Sequence, residues 1–408
     1  MSTSTESAAR TDGPGPLAGV TVVALEQAVS APLCTRTLAD LGARVIKVEN
    51  PRGGDFARHY DDVVHGLAAH FVWCNRGKES VTLDLKSDAG RDLLHRLLAE
   101  ADVLVSNLAP GATERIGVGA AQMAQRHPHV VALEISGYGT GGPLSAKRAY
   151  DMLVQGESGA CSITGLPGAP AKPGPPFADA STGLYAAIAI LGALYERGKV
   201  RSADGGGRVA VSMFDTMAEL MGYPLTYTRH SGVEQQPVGM GSPAVVPYGA
   251  YPTADGQTVI LGTTNDAEWQ RLARDMMGRP DLADDERYRR GPDRVVHRAT
   301  LDAELAAWCR TLPLAELQAK ADTAGIGNAR FNTPAEVVEH PHLTARDRWR
   351  EVETPGGPIP ALLPPPVYEG RELGMGPVPG LGEHTDTVLS GIGLTPGEIM
   401  DLRDRKVL

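Results

Sequence analysis

Aromatic residues are scarce in this sequence, making up 5% of its 408 residues. A core with so few rings must be aliphatic and rich in alanine. Cysteine is scarcer still. Cys34, Cys74, Cys161 and Cys309 are scattered, with no CxxC pair and no histidine at ligand spacing. This excludes a disulfide framework and a structural zinc site, and it points to a reduced, cytoplasmic setting. Positive charge is in deficit, since 39 Lys and Arg against 49 Asp and Glu leave a net charge of −10. A nucleic-acid or anionic-membrane binder needs a basic face, so neither partner is expected. No apolar run reaches the roughly 18 residues that a bilayer span needs. The first fifteen residues are polar, carry Glu6 and lack an apolar segment. They read as a flexible tail and not as a signal peptide.

The common catalytic signatures are missing as well. There is no GxSxG elbow, no GxxxxGK[ST] phosphate loop, no HExxH, and no GxGxxG after the first strand. The triplet Gly205-Gly206-Gly207 reads as a turn between a helix and a strand.

What is abundant is glycine and proline, 48 and 31 residues, on a background of 42% hydrophobic and 22% charged residues. That is a globular composition with many turns, long enough for about two or three domains. Val20 to Leu25 is a β-branched apolar run, Ala31 to Gly42 has helical spacing, and Arg44 to Glu49 is a second strand. Strand, helix and strand in so short a span make a βαβ unit and imply a parallel sheet. The pattern continues with Ser80–Leu85, Ala89–Glu100, Asp102–Val105, a helix closing at Gln122–His127, and Val130–Ile135. This is an α/β fold of the doubly wound, Rossmann-like type, in which ligands sit at the carboxyl ends of strands. Ser136 to Phe177 reads as loop. A long apolar helix is expected from Gly183 to Glu196, then a strand at Arg208–Phe214 and a helix at Asp215–Met221. Turns are expected from about Tyr223. Strands at Gly249–Thr253 and Thr258–Leu261, and helices at Asp266–Met277 and Thr300–Arg310, suggest a smaller α/β domain. Thr300 is the expected N-cap of the last helix. Thr354 to Gly382 is extended and too long for a simple linker.

The segment with most chemistry is Phe177-Ala178-Asp179-Ala180-Ser181-Thr182-Gly183. An aspartate just ahead of an apolar helix is ordinarily a cap, but Ser181 and Thr182 could cap equally well. Asp179 is then free to act as a carboxylate nucleophile, ionised at neutral pH at its ordinary value of about 4. Gln27, Asn107 and the Arg148-Ala149-Tyr150-Asp151 run stand at strand ends or after the glycine-rich Gly137–Gly142 loop, where single residues are more often turns or surface.

These blocks, in order, resemble the family III coenzyme A transferases, the group that includes formyl-CoA transferase. The resemblance runs from about Pro16 to Leu408. It is carried by PLAGVTVVALEQAVSAPLCTRTLADLGARVIKVENPRGGD, Asn75-Arg76-Gly77-Lys78, SVTLDLKSDAGRDLL, Asn107-Leu108-Ala109-Pro110-Gly111, SGYGTGGP, FADASTG and Gly382-Glu383-His384-Thr385. It implies Asp179 as a covalent nucleophile, with Gln27, Ala28, Asn75, Lys78, Asn107, Arg115, Gly137, Gly139, Arg148 and Tyr150 around coenzyme A and the substrate. It implies coenzyme A as substrate and product, acyl-CoA and carboxylic acid partners, no metal and no tightly bound cofactor. The implied organisation is a large domain at 16–228, a small α/β domain at 229–335 and a C-terminal segment, 336–408, that returns to the first, in an interlocked homodimer. LVQGESG and MFDTMAELMGYP look most like the branch that handles small dicarboxylates. The chain departs from the family at Asn50, where a basic residue is frequent, and at Ser242, where the dicarboxylate branch often has histidine. The α-methylacyl-CoA racemases share the fold and supply the alternative reading. They resemble a His-Asp pair where this chain has Tyr150-Asp151, and a phenol is a poor base for taking an α-proton.

Overall fold

The computed structural model describes residues 15–200 and 207–408. Most of the expected N-terminal tail, and Gly205 and Gly206 of the glycine triplet, lie outside the described residues. The chain divides into two compact units. The first is Met1–Ser158, Gly174–Met221 and Asp347–Leu408; the second is Gly159–Pro173 and Gly222–Arg346. The divisions fall at Met221/Gly222 and Arg346/Asp347, where 228/229 and 335/336 were expected, and Gly159–Pro173 joins the second unit.

The first unit is built on six parallel strands: β1 (Thr21–Leu25), β2 (Arg44–Glu49), β3 (Lys78–Thr82), β4 (Val103–Ser106), β5 (Val131–Ser136) and β6 (Arg208–Ser212). Their order across the sheet is β3-β2-β1-β4-β5-β6, every pair parallel. Helices cover both faces of such a sheet, so its strands read as apolar runs; Val22, Val23 and Ala24 of β1 are fully buried. The main helices are α1 (Ser30–Asp40), α2 (Ala69–Asn75), α3 (Asp88–Ala99), α4 (Asp151–Glu157), α5 (Phe177–Val200) and α6 (Met213–Leu220). Strand order reverses between β1 and β4, and right-handed crossovers leaving in opposite directions open a crevice at their carboxyl ends.

α5 begins at Phe177, six positions before the expected Gly183, so Asp179 lies in its first turn. Neither Asp179 nor its two neighbours caps it. The Oγ of Ser181 donates to the Phe177 carbonyl and the Oγ1 of Thr182 to the Ala178 carbonyl, both at 2.7 Å. The acceptor at this helix start is Asp151, from α4. Contrary to the expectation of no membrane-length segment, Phe177–Gly198 has the length and apolar composition to cross a bilayer, with a third of it buried. Its inner face packs on α1. Gly183 meets the Ser30 carbonyl so closely that a Cβ there would lie 2.5 Å from the oxygen.

The end of the chain completes this unit. A hairpin of β7 (Trp349–Val352) and β8 (Ile359–Leu362) leads into an extended run. The Pro377 carbonyl accepts from the Gly77 amide at 2.7 Å, and the Pro379 carbonyl accepts from Arg58. Edge strand β3 is then covered. Its Ser80 amide donates to Nδ1 of His384, and its Thr82 amide to Oγ1 of Thr385. The block Gly382-Glu383-His384-Thr385 thereby covers a sheet edge. α7 (Thr385–Gly391) and α8 (Pro396–Asp404) add Val388, Leu389, Ile399 and Leu402 to the core of Val23, Ile46 and Leu94.

The second unit carries a three-stranded antiparallel sheet of Tyr248–Pro252, Thr258–Gly262 and Gly327–Arg330. Its core includes Trp269, Leu272, Tyr288, Leu301, Leu305 and Leu317. Thr300 is not a cap. It lies inside the helix Arg298–Cys309, and its Oγ1 donates to the His297 carbonyl. The expected helix Asp266–Met277 is α-helical over Asp266–Arg271 and widens to a π-turn over Leu272–Met276. Gly222–Ser231, read as turns, is a helix with no buried residue, so no apolar stripe marked it.

Candidate functional site

A cavity of about 680 Å³ opens where the strand order reverses. It is lined by the residues that follow β1, β4 and β5, by the Ser145–Tyr150 approach to α4, and by the first turn of α5. Eight of the expected residues meet here: Gln27, Ala28, Asn107, Gly137, Gly139, Arg148, Tyr150 and Asp179. Phe56, Ser30 and Met213 join them without having been read from the sequence. No local pattern singles these three out, because only the fold brings them to one place.

The turn after β1 is held from two sides. Asn107 works as a clamp: its Oδ1 accepts the Gln27 amide at 2.9 Å, and its Nδ2 donates to the Gln27 carbonyl at 2.8 Å. The next residue, Ala28, takes the left-handed conformation at φ 64° and gives its amide to Oδ1 of Asp55 at 3.0 Å. That conformation costs a non-glycine residue of order 1 kcal/mol and persists because both neighbours fix it. Across the cavity, Gly137 touches Ala149 so tightly that a Cβ at Gly137 would fall 2.2 Å from the alanine's own. A glycine is therefore required for the loop to run beside Tyr150.

Three expected residues stand elsewhere. Lys78 and Asn75 are buried beneath the β1 turn and not on the cavity. The Nζ of Lys78 donates to Oε1 of Glu26 at 2.7 Å, to the Pro32 carbonyl at 2.9 Å and to Oδ1 of Asn75 at 3.0 Å. Lys47 is equally buried, bridging Glu26 to Asp55. A buried charge needs a partner, and Glu26 supplies it to both lysines. Burial pulls Lys78 down to about 8 despite that partner. Burial would raise Glu26, but Lys78 and Lys47 outweigh it and hold it below the usual carboxylate range. Lys47 in turn holds Asp55, and through it the Ala28 turn. Arg115 lines a neighbouring cavity of about 200 Å³ with Asp92, His95, Glu114 and Arg126.

Among the described residues, Asp179 is the one aspartate that lines the cavity. It was expected to be an ordinary ionised carboxylate. Burial, and then the negative charge of Asp151, push it up to about 7, with a hydrogen bond from Ser30 acting the other way. It is therefore part protonated at neutral pH, and its ionised form is more basic than a free aspartate. Glu134 on the cavity wall is also raised, by burial and by Glu114. The cations on the lining are Lys147, which is paired with Glu157 at 3.0 Å, and the exposed Arg148. Among the described residues no cluster of His, Cys, Asp or Glu could hold a metal ion. The arrangement offers a basic carboxylate, two cations and a close-packed glycine turn on a cavity large enough for an extended ligand.

The family described as CoA-transferase family III matches residues 17–385. A succinyl-CoA–D-citramalate CoA-transferase of Chloroflexus aurantiacus is 31% identical over 97% of this chain and 98% of its own length. A succinate–glutarate CoA-transferase of Agrobacterium fabrum is 34% identical over 92% of this chain and 95% of its own. The crystal structure of a CAIB/BAIF family protein from Brucella suis superposes with a TM-score of 0.80 at 32% identity, covering 93% of this chain and all of that one.

Proposed function

The chain belongs to CoA-transferase family III and is a CoA-transferase, and from that premise we propose that Asp179 carries coenzyme A covalently between two carboxylic acids, small dicarboxylates among them. The observation that supports this most is the place of Asp179: a carboxylate raised to about 7, on the cavity where the strand order reverses.

The steps balance without an external energy source. An Asp179 carboxylate oxygen bonds to the acyl carbon of the donor, the C–S bond breaks, and its electron pair leaves with sulfur as CoA thiolate. The product is a mixed anhydride. The thiolate then adds to the aspartyl carbonyl carbon, the anhydride C–O bond breaks, and the donor acid departs as a carboxylate. Asp179 now holds coenzyme A as a thioester. The acceptor carboxylate attacks that carbonyl and expels the thiolate. The thiolate then attacks the acceptor carbonyl of the new anhydride, releasing acceptor-CoA and the free Asp179 carboxylate. Both covalent states are open to hydrolysis, so water must be kept out. The loop through Gly137, Gly139 and Thr140 borders the site and is the element placed to do so. Arg148 supplies a positive charge for a substrate carboxylate. The sequence as written requires neither a metal nor a bound cofactor.

Dicarboxylates are favoured because relatives of this length and similarity are named for succinyl-CoA with citramalate or mesaconate, and for succinate with glutarate. The racemase alternative has less support, since among the described residues Tyr150 and no histidine lines the cavity. We place the enzyme in the cytoplasm and read it as a homodimer. The exposed Leu184, Tyr185, Ile188 and Tyr195 on α5 are an apolar face that a second copy would cover.

The test is to incubate the protein with succinyl-CoA alone and weigh it intact. A CoA adduct that maps to Asp179 is expected. Asp179→Ala should lose the adduct and about 10³-fold or more of turnover. Near-normal turnover in Asp179→Ala would end this reading.

A further inference from the structure

We propose that Asp151 is a positioning residue for the nucleophile: its carboxylate occupies the N-terminus of α5, fixes the turn that displays Asp179, and keeps that carboxylate from being stabilised as an anion. This rests on Asp179 being the nucleophile and adds a residue that acts through it.

The geometry is specific. Oδ1 of Asp151 accepts the amides of Ala178 at 2.9 Å and Asp179 at 3.2 Å, 27 and 28 residues further along the chain. Oδ2 accepts from Nε2 of Gln155 at 2.7 Å, one turn along α4. Three donors converge on the two carboxylate oxygens, which accept from all of them. Gln155 is fully buried, and its own Oε1 has no partner among the described residues. Its amide is therefore committed to orienting Asp151 at some cost.

The electrostatic consequence follows from what a helix N-terminus normally does. Free amides there hold an anion, so an aspartate in the first turn is ordinarily made more acidic. At α5 the amides of Ala178 and Asp179 are already taken by Asp151. Asp179 meets a fixed negative charge where it would have met a positive end. The groups around it do not reverse this. α1 contributes the Ser30 hydroxyl, which favours the anion. Tyr60, beside the turn after β2, has its phenol pushed up by burial and by the charges of Asp55 and Asp179, and Tyr150 lines the cavity. β5 contributes Glu134, a second acid on the cavity. α6 contributes Asp215, which lies beside Gly139. Lys147 is bound to Glu157, and Arg148 stands at the exposed rim. Burial and Asp151 together place Asp179 near 7.

Both stages of the reaction gain. A carboxylate that is poorly stabilised as an anion is a stronger nucleophile towards a thioester. When its oxygen bonds to the acyl carbon and the thiolate leaves, the charge moves from Asp179 to sulfur, and the repulsion from Asp151 is relieved. The anhydride and the aspartyl-CoA thioester are neutral at Asp179, so Asp151 favours both over the free enzyme.

The experiment is the pH dependence of single-turnover adduct formation from succinyl-CoA, followed by intact mass in wild type, Asp151→Asn and Asp151→Ser. Both variants remove the charge, and Asp151→Asn also keeps an oxygen acceptor at the helix end. In wild type the rate should fall with unit slope below about pH 7. In either neutral variant the limb should move down by roughly one pH unit, and the fraction of protein held as adduct at limiting acyl-CoA should fall several-fold. Asp151→Glu, which keeps the charge, should retain the wild-type limb even if its rate drops. An unchanged limb and adduct fraction in a folded neutral variant would overturn the proposal. So would a wild-type limb near the ordinary carboxylate value of about 4, which needs no variant at all. Failure of the parent reading looks different: no adduct on Asp179 in wild type at any pH.

Discussion

An aspartate held near 7 weakens the fold at the pH where it works. The unfolded chain releases the Asp179 proton at about pH 4, whereas the folded one keeps it to about 7. Between these values the native state binds more protons, so stability falls as pH rises through the window, and the full loss is present above it. Asp179→Asn, which mimics the protonated acid, is therefore expected to melt higher than wild type at pH 8 and at the same temperature near pH 4. Each kcal/mol gained would raise the midpoint of a chain this long by about 1–2 °C. Equal midpoints at pH 8 would contradict the raised value. This residue's environment was only half legible in the sequence. The FADASTG block marked Asp179, but the carboxylate that perturbs it, Asp151, lies 28 positions earlier and is brought to it by the fold. The opposite happened at Lys78 and Asn75. Their block looked like a ligand site, and Glu26, which takes Lys78 into the interior, is 52 residues away. No local pattern carries such a pairing.

The contact between α1 and α5 sets where the first turn of α5 can lie. Replacing an exposed helical glycine by alanine normally adds up to about 1 kcal/mol. Gly192, exposed and with open space around it, should follow that rule. Gly183 should not, because a methyl there would lie 2.5 Å from the backbone oxygen of Ser30, which no rotamer can relieve. Gly183→Ala is expected to lose about 1–3 kcal/mol despite its better propensity. It should also lose activity, because Asp179 is one turn away and Ser30 is on the cavity. Thermal melts of the pair check this, and a stabilised Gly183→Ala would refute the close packing. The apolar run showed that α5 exists but not where it starts. The Asp-Ala-Ser-Thr-Gly stretch looks like a cap because its polar residues are good caps, yet two of them turn back onto helix carbonyls and a distant acid does the capping. Gly222–Ser231 was illegible for a different reason: it buries no residue.

For the molecule as a whole, the period-two and helical runs were enough to read the parallel sheet and the crevice at its strand ends, since both follow from chain chirality. The outer face of α5 raises the question of assembly. Ile188, 62% exposed in the single chain, sits amid other exposed apolar side chains of that helix. Ile188→Asp is expected to give monomers in light scattering with an unchanged circular dichroism spectrum. A wild-type monomer at all concentrations would refute the homodimer. The cover on β3 has its own consequence, in time. Ser80 finds His384 only 304 residues further on. At about 5–20 residues per second, a ribosome needs roughly 15–60 s between them. Throughout that interval the nascent sheet has an open edge and lacks the side chains of Val388, Leu389 and Ile399. The chain therefore finishes its first-begun unit last. Expression at lower temperature, or with a holdase chaperone, should matter most for nascent chains stalled before His384, which can pair with one another while they wait.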